Sequence, residues 1–193
     1  MEWTKNDSIV VKGFEIKVMQ EIKKYSTEEF VNFSTGELNE ISDVQLLILK
    51  GHILVEYCLN CYLESVSTSE NSDFFKKDKM NFSTKLKVLK HFTTFGSDAD
   101  IIEELIMLNS IRNEIAHSLS YNENLLKKLF AEIKKKSPSG IFLNPNSNIK
   151  AKIIGSIAFI NGALFGAYKY NTDKKDIESY LNKNNLKRAD QSK

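Results

Sequence analysis

Pro138 and Pro145 are the only prolines in 193 residues, and both fall inside SPSGIFLNPNSN, residues 137–148. Proline ends helices by removing a donor and clashing with the preceding turn, so the rest of the chain is free to be helical. Glycine is sparse as well, with eight in all. Apolar residues recur at spacings of three and four along most of the chain, the repeat of one helix face, whereas the alternation of a half-buried strand is hard to find. The expected fold class is all-α. A chain of this length, 41% hydrophobic and 27% charged, can bury about 70% of its unfolded surface in one core without disulfide or metal support.

The pattern predicts a first helix over about 8–24, carrying Ile9, Val10, Phe14, Val18, Met19 and Ile22 on one face. Ser26 followed by Glu29 forms a capping box and opens a short second helix. A long helix from about 43 to 66, DVQLLILKGHILVEYCLNCYLESV, is apolar on more than one face and belongs in the centre of a bundle. STSENSD (67–73) ends it. FSTKLKVLKHF (82–92) is a shorter helix closing near Gly96, and the next starts at Asp98 or Asp100 and runs to about Ser120. Glu103 and Glu104 lie in its early turns, where the helix dipole favours acids. Another covers about 123–136, ending in three lysines. The proline loop leads to NIKAKIIGSIAFINGALFGAYKYN (148–171), then a separate short helix near 173–184 and a polar, flexible tail over 186–193. Gly155, Gly162 and Gly166, with Ala158 and Ala163, are expected to allow close approach of a neighbouring helix. The organisation expected is one helical domain over 1–185.

Sixteen apolar residues, 153–168, interrupted by Asn161, fall short of the ~20 that a bilayer core requires, so no membrane segment is expected. Residues 1–30 alternate charge with hydrophobes and lack a secretion signal. Two cysteines, Cys58 and Cys61, suit a reducing compartment. The expected location is cytoplasmic. A net charge of +2 gives no general attraction to nucleic acid, so RNA contact requires a local patch. Twenty-five of the 27 basic residues are lysine, and the two arginines are Arg112 and Arg188. Lysine supplies solvated charge, whereas guanidinium offers a planar fork for phosphate or carboxylate.

Arg112 lies in LNSIRNEIAHSL (108–119). At 100° per residue, Ile101, Leu105, Leu108, Ile111, Ile115 and Leu119 form one apolar stripe. Asn109, Asn113 and His117 follow one another at four-residue steps on another face, with Arg112 beside Asn113. None of the positions three or four away from Arg112 is acidic, so its partner is water, a carboxylate elsewhere or a bound anion. Glu114, three residues before His117, can steady the ring and favour its protonated form. A guanidinium beside an imidazole suits phosphodiester chemistry: the imidazole moves a proton near neutral pH and the arginine stabilises charge on phosphoryl oxygens. Asn113 and Asn109 can orient a hydroxyl or phosphate, and no step requires a metal or cofactor. A purely structural role fits the same spacing, with His117 answering the helix dipole and Arg112 bridging to an acid on another helix.

IRNEIAHS resembles the motif of the HEPN superfamily, in which an arginine, commonly followed by a polar residue, precedes a histidine by four to six residues. Arg112, Asn113 and His117 match it. The preceding FSTKLKVLKHF and acidic helix start are similar to the layout of several HEPN families, and the helix holding GHILVEYCLNCYL matches their opening helix. The mannitol operon repressor family has a similar layout, including a proline-bearing loop and a final long helix. The resemblance covers residues 40–136 well and 149–171 in layout only. It implies a HEPN-like helical bundle, with an additional C-terminal long helix, that dimerises so that two motifs share one cleft. It further implies a metal-independent endoribonuclease of bacterial toxin or phage-defence type, with the ribose 2′-hydroxyl attacking the adjacent phosphate and an antitoxin protein as a possible partner. His117 would handle the proton, Arg112 the phosphate, and Asn113 the positioning of both. The alternative implied by the repressor-like family is a non-catalytic regulatory or interaction module.

Cys58 and Cys61 form a lone CxxC without a second pair, which reads as core packing and not as a metal site. His52 and His91, in apolar-rich helices, read as partly buried structural residues. Lysines at 76, 77 and 79, and at 127, 128 and 134–136, read first as solvated faces and second as a guide for RNA toward the cleft. No phosphate-cradling glycine loop and no G-x-S-x-G occurs, which leaves nucleotide-hydrolase and esterase readings without support.

Overall fold

The computed structural model describes residues 22–67, 80–93, 100–137, 144 and 146–190, with side chains through residue 180. Six helices and no strand occur among them: α1 Thr27–Asn39, α2 Val44–Val66, α3 Phe82–Phe92, α4 Ile102–Ser118, α5 Glu123–Lys136 and α6 Ile149–Asp190. The fold is all-α, as the periodicity predicts. Residues 8–21 of the helix expected over 8–24, and the lysines at 76, 77 and 79, lie outside the described residues; Ile22 is buried and the chain turns at 23–24.

Helix starts follow local chemistry. Ser26 and Glu29 form the capping box expected of them, and the two bonds to Ser26 hold the Glu29 carboxyl below its ordinary range. Asp43 caps α2 through Leu46 N–H, Asn81 caps α3 through Thr84 N–H, and Asn122 caps α5 through Asn124 and Leu125 N–H. At α4 the nearer of the two expected acids serves: the Asp100 carboxylate accepts from Ile102 N–H at 3.0 Å.

The two longest helices, α2 and α6, form the most extensive helix pair. Their direction is parallel, because Gly51 meets Ile157 at one end and Ser65 accepts from the Asn171 amide at the other, at 3.2 Å. The closest crossing is at Gly51, where a Cβ would stand 2.0 Å from Ile157 Cδ1. The glycines that the sequence singles out are less tightly pressed. A Cβ at Gly162 or Gly166 would meet only ordinary contact at 3.7 Å, with Val31 and Thr27 of α1. Helix α1 runs antiparallel along α6, and the Phe30 and Phe165 rings stack between them with centroids 4.4 Å apart.

Helix α4 packs antiparallel to α2, and α5 returns antiparallel along α4. Ile101, Leu105, Leu108, Ile111 and Ile115 are all buried, as the stripe requires. Leu119 is not: it is 78% exposed, because it ends α4 in the left-handed region at φ 52° and the chain turns its side chain outward. Glu104, in the first turn as expected, is fully buried there and pairs with Lys136 of α5 at 2.8 Å. The short helix expected near 173–184 is not separate, and helical backbone reaches Asp190, into the expected tail. Thr172, at the expected break, bonds back to Tyr168 O and Lys169 O within the same helix, and no proline or glycine stands nearby to end it. By length and composition α2 and the Ile149–Tyr180 part of α6 could each cross a membrane, and half or more of each apolar window is buried inside the bundle.

Candidate functional site

Arg112 and His117 are both exposed on α4, about 7.5 Å apart along its axis and about 140° apart around it. Arg112 makes no ion pair among the described residues, and its Nη1 donates to Asn113 Oδ1 at 3.1 Å. No side-chain partner within the described residues engages the His117 imidazole. Asn109 and Asn113 are half-buried between this face and the body of the bundle. The last turn of α4 is fixed from α2, where the Gln45 amide donates to Leu119 O at 2.7 Å. Glu114 behaves differently from what its spacing to His117 suggests. Its Oε2 accepts the Asn122 backbone N–H at 2.8 Å, tying α4 to the start of α5.

A second imidazole lies inside the bundle, more deeply than the partial burial expected of it. His52 of α2 is 3% exposed, with its ring against Phe82 of α3 at a centroid distance of 4.4 Å and its Nε2 without a hydrogen-bond partner among the described residues. Burial pushes its pKa down to about 4; Glu56 opposes this, while the charges of Arg112 and Lys85 add to it. The imidazole is therefore neutral at physiological pH. Beside it, Lys85 and Glu56 join α3 to α2 through a 2.5 Å ion pair, and the Asn109 amide donates to Ser83 Oγ at 3.4 Å. The only sequence signal for this layer is that His52 and Glu56 stand one turn apart on α2. Nothing in the sequence says that this face meets α4. His91, grouped with His52 at first reading, is exposed.

The last lysine of α5 lies away from this face. Lys136 reaches Glu104 and Asp100 O at the start of α4, which places the 134–136 run about 20 Å along the axis from His117. Lys135 pairs with Glu132 and Lys127 with Glu123. An open groove of about 180 Å³ between α5 and α6, bordered by Leu126, Phe130 and Ile149, includes neither Arg112 nor His117. Cys58 and Cys61 are buried and form no disulfide, and burial raises the Cys58 thiol well above its ordinary value. No group of three or more His, Cys, Asp or Glu that could hold a metal occurs among the described residues.

The arrangement supplies a solvent-facing imidazole and a guanidinium that meets no acid among the described residues, with half-buried amides beside them. Such a set can move a proton and stabilise a phosphoryl charge. No family model, curated protein or solved structure matches this chain.

Proposed function

We propose that the protein is a metal-independent endoribonuclease of the HEPN type, cytoplasmic and homodimeric, acting as a bacterial toxin or phage-defence effector that an antitoxin protein can restrain. The observation that carries this reading is that Arg112, exposed on α4 as His117 is, meets no carboxylate among the described residues and donates to Asn113 instead. A guanidinium kept for structure would be expected to meet an acid, and Glu104, Glu114 and Glu56 are each engaged elsewhere.

In this reading His117 accepts the proton of the ribose 2′-hydroxyl as its oxygen bonds to the adjacent phosphorus. The P–O5′ bond then breaks, a proton is returned to the leaving oxygen, and the products are a 2′,3′-cyclic phosphate and a 5′-hydroxyl end. Arg112 stabilises the charge that gathers on the phosphoryl oxygens, and Asn113, which accepts from its Nη1, sets its direction. Asn109 supports them from one turn below, and Glu114 fixes the end of the helix that carries His117.

One chain presents these groups on an open face, where water competes for a substrate, so a second copy is needed to form a cleft. Leu46 and Ile53, 54% and 63% exposed on α2, flank the side of that helix that meets α4 and offer an apolar rim for such a contact. The non-catalytic reading draws on the same openness, since an exposed arginine and leucine also suit a protein partner. Purified protein incubated with RNA and excess chelator separates the two. Cleavage is expected from wild type, with ends of the stated kind, and not from His117→Ala or Arg112→Gln. Equal behaviour of the three proteins would remove the enzymatic reading.

A further inference from the structure

We propose that residues 8–21 of this chain form a helix that lies along the Tyr170–Tyr180 stretch of α6 and covers an apolar face left open there by the described residues. The inference is independent of the ribonuclease reading.

Helix α6 outruns the bundle. Ser65, in the last turn of α2, meets Asn171, and Lys175 Nζ reaches Ser67 O just past the end of α2. From residue 173 to residue 180 every position is exposed, although helical backbone continues to Asp190. A short helical stretch in water holds itself together poorly, since most helical stability in proteins comes from packing one face. Such a face is present: Tyr170, Ile177 and Tyr180 are 70%, 60% and 68% exposed. At 100° per residue all three fall within about 40° of Gly166 around the α6 axis, as Gly162 does. Gly162 and Gly166 are the positions over which α1 lies, through Val31 and Thr27. The exposed stripe therefore continues a surface that is already a helix–helix interface.

The chain that enters α1 supplies the occupant. Because α1 is antiparallel to α6, with Val31 at Gly162 and Thr27 at Gly166, residues before Thr27 lie toward the C-terminal end of α6. Lys23 is tied at 2.8 Å to Glu64, the neighbour of the Ser65 that meets Asn171. Ile22 is helical and 7% exposed in the core, and Tyr25 N–H closes a turn on its carbonyl at 3.0 Å. The segment ahead of Ile22 thus joins the bundle beside the start of the open stripe. Val11, Phe14, Val18 and Ile22 recur at three- and four-residue spacing, which gives that segment one apolar side. As a helix, 8–21 is about 20 Å long, enough to span the roughly 15 Å from Tyr170 to Tyr180. A second copy of the chain would compete against a segment tethered at this spot, at an effective concentration on the order of millimolar.

Hydrogen exchange on the full chain, read by mass spectrometry, measures the cover. Amides over 173–181 in wild type are expected to exchange about tenfold or more slowly than in a free chain, and Val18→Asp to remove that protection while α2 and α4 keep theirs. Ile177→Asp, whose site lies beyond the packed bundle, is the second variant; it is expected to speed exchange over 8–21, and it decides the matter if Val18→Asp unfolds α2. Free-chain exchange over 173–181 in wild type, or protection unchanged in the folded variants, overturns the proposal. A short amine-reactive crosslinker, applied to an equal mixture of isotope-labelled and unlabelled wild type, then assigns the occupant. Links from Lys12 or Lys17 to Lys174 or Lys175 within one chain uphold the proposal. Finding them only between chains gives the face to a second copy and overturns it, as does finding none.

Discussion

Acid should destabilise this protein through His52 before its carboxylates titrate. The folded chain holds that imidazole neutral down to about 4, whereas the unfolded chain protonates it at the ordinary value of 6.5. Between those values the unfolded state binds more protons, so stability falls as the pH drops through 6.5 and the loss is complete near 4. The whole interval is worth about 3 kcal/mol, of which about 2 kcal/mol is lost between pH 7 and pH 5. That is a large part of the 5–15 kcal/mol typical of a domain. Urea unfolding of wild type at pH 7 and at pH 5 should show the midpoint dropping with an unchanged slope, the sign of a pure stability change. His52→Phe should flatten that dependence, because the group that titrates is gone while the ring on Phe82 remains. Parallel losses in the two proteins over this interval would refute the argument, since the sensitivity would then belong to other groups.

The α2–α6 crossing predicts a change of sign. Gly51→Ala alone should destabilise by up to about 2 kcal/mol, because crowding against Ile157 exceeds the ~1 kcal/mol helix gain of alanine over glycine. In an Ile157→Val background, which removes Cδ1, the same change should be neutral or stabilising by urea titration. Leu119→Gly should raise the melting temperature by about 2–4 °C, since glycine accepts the left-handed cap at φ 52° more readily and Leu119 buries little. In the native protein neither Cys58 nor Cys61 should react with a water-soluble thiol reagent, and both should react on unfolding; native labelling would contradict their burial.

The sequence by itself determined what depends on near neighbours along the chain. The helix class follows from where the prolines are, α1 from Ser26 and Glu29, the bounds of α2, α3 and α5 from their apolar runs, and the buried stripe of α4 from its spacing. Arg112, Asn113 and His117 were legible as a group for the same reason, because residues within six positions on one helix keep their relation wherever that helix packs. Only the tertiary structure decided which faces meet. It buried His52 against Phe82 of α3, gave the Glu114 carboxylate to Asn122, and buried Glu104 against Lys136. It also made Gly51 the tight crossing, carried α6 through Thr172 without a break, and set Lys136 at the far end of α4 from His117. Local spacing fixes angles around one helix axis, whereas contacts between residues some sixty positions apart arise from how whole helices minimise exposed apolar surface, a sum over the entire core.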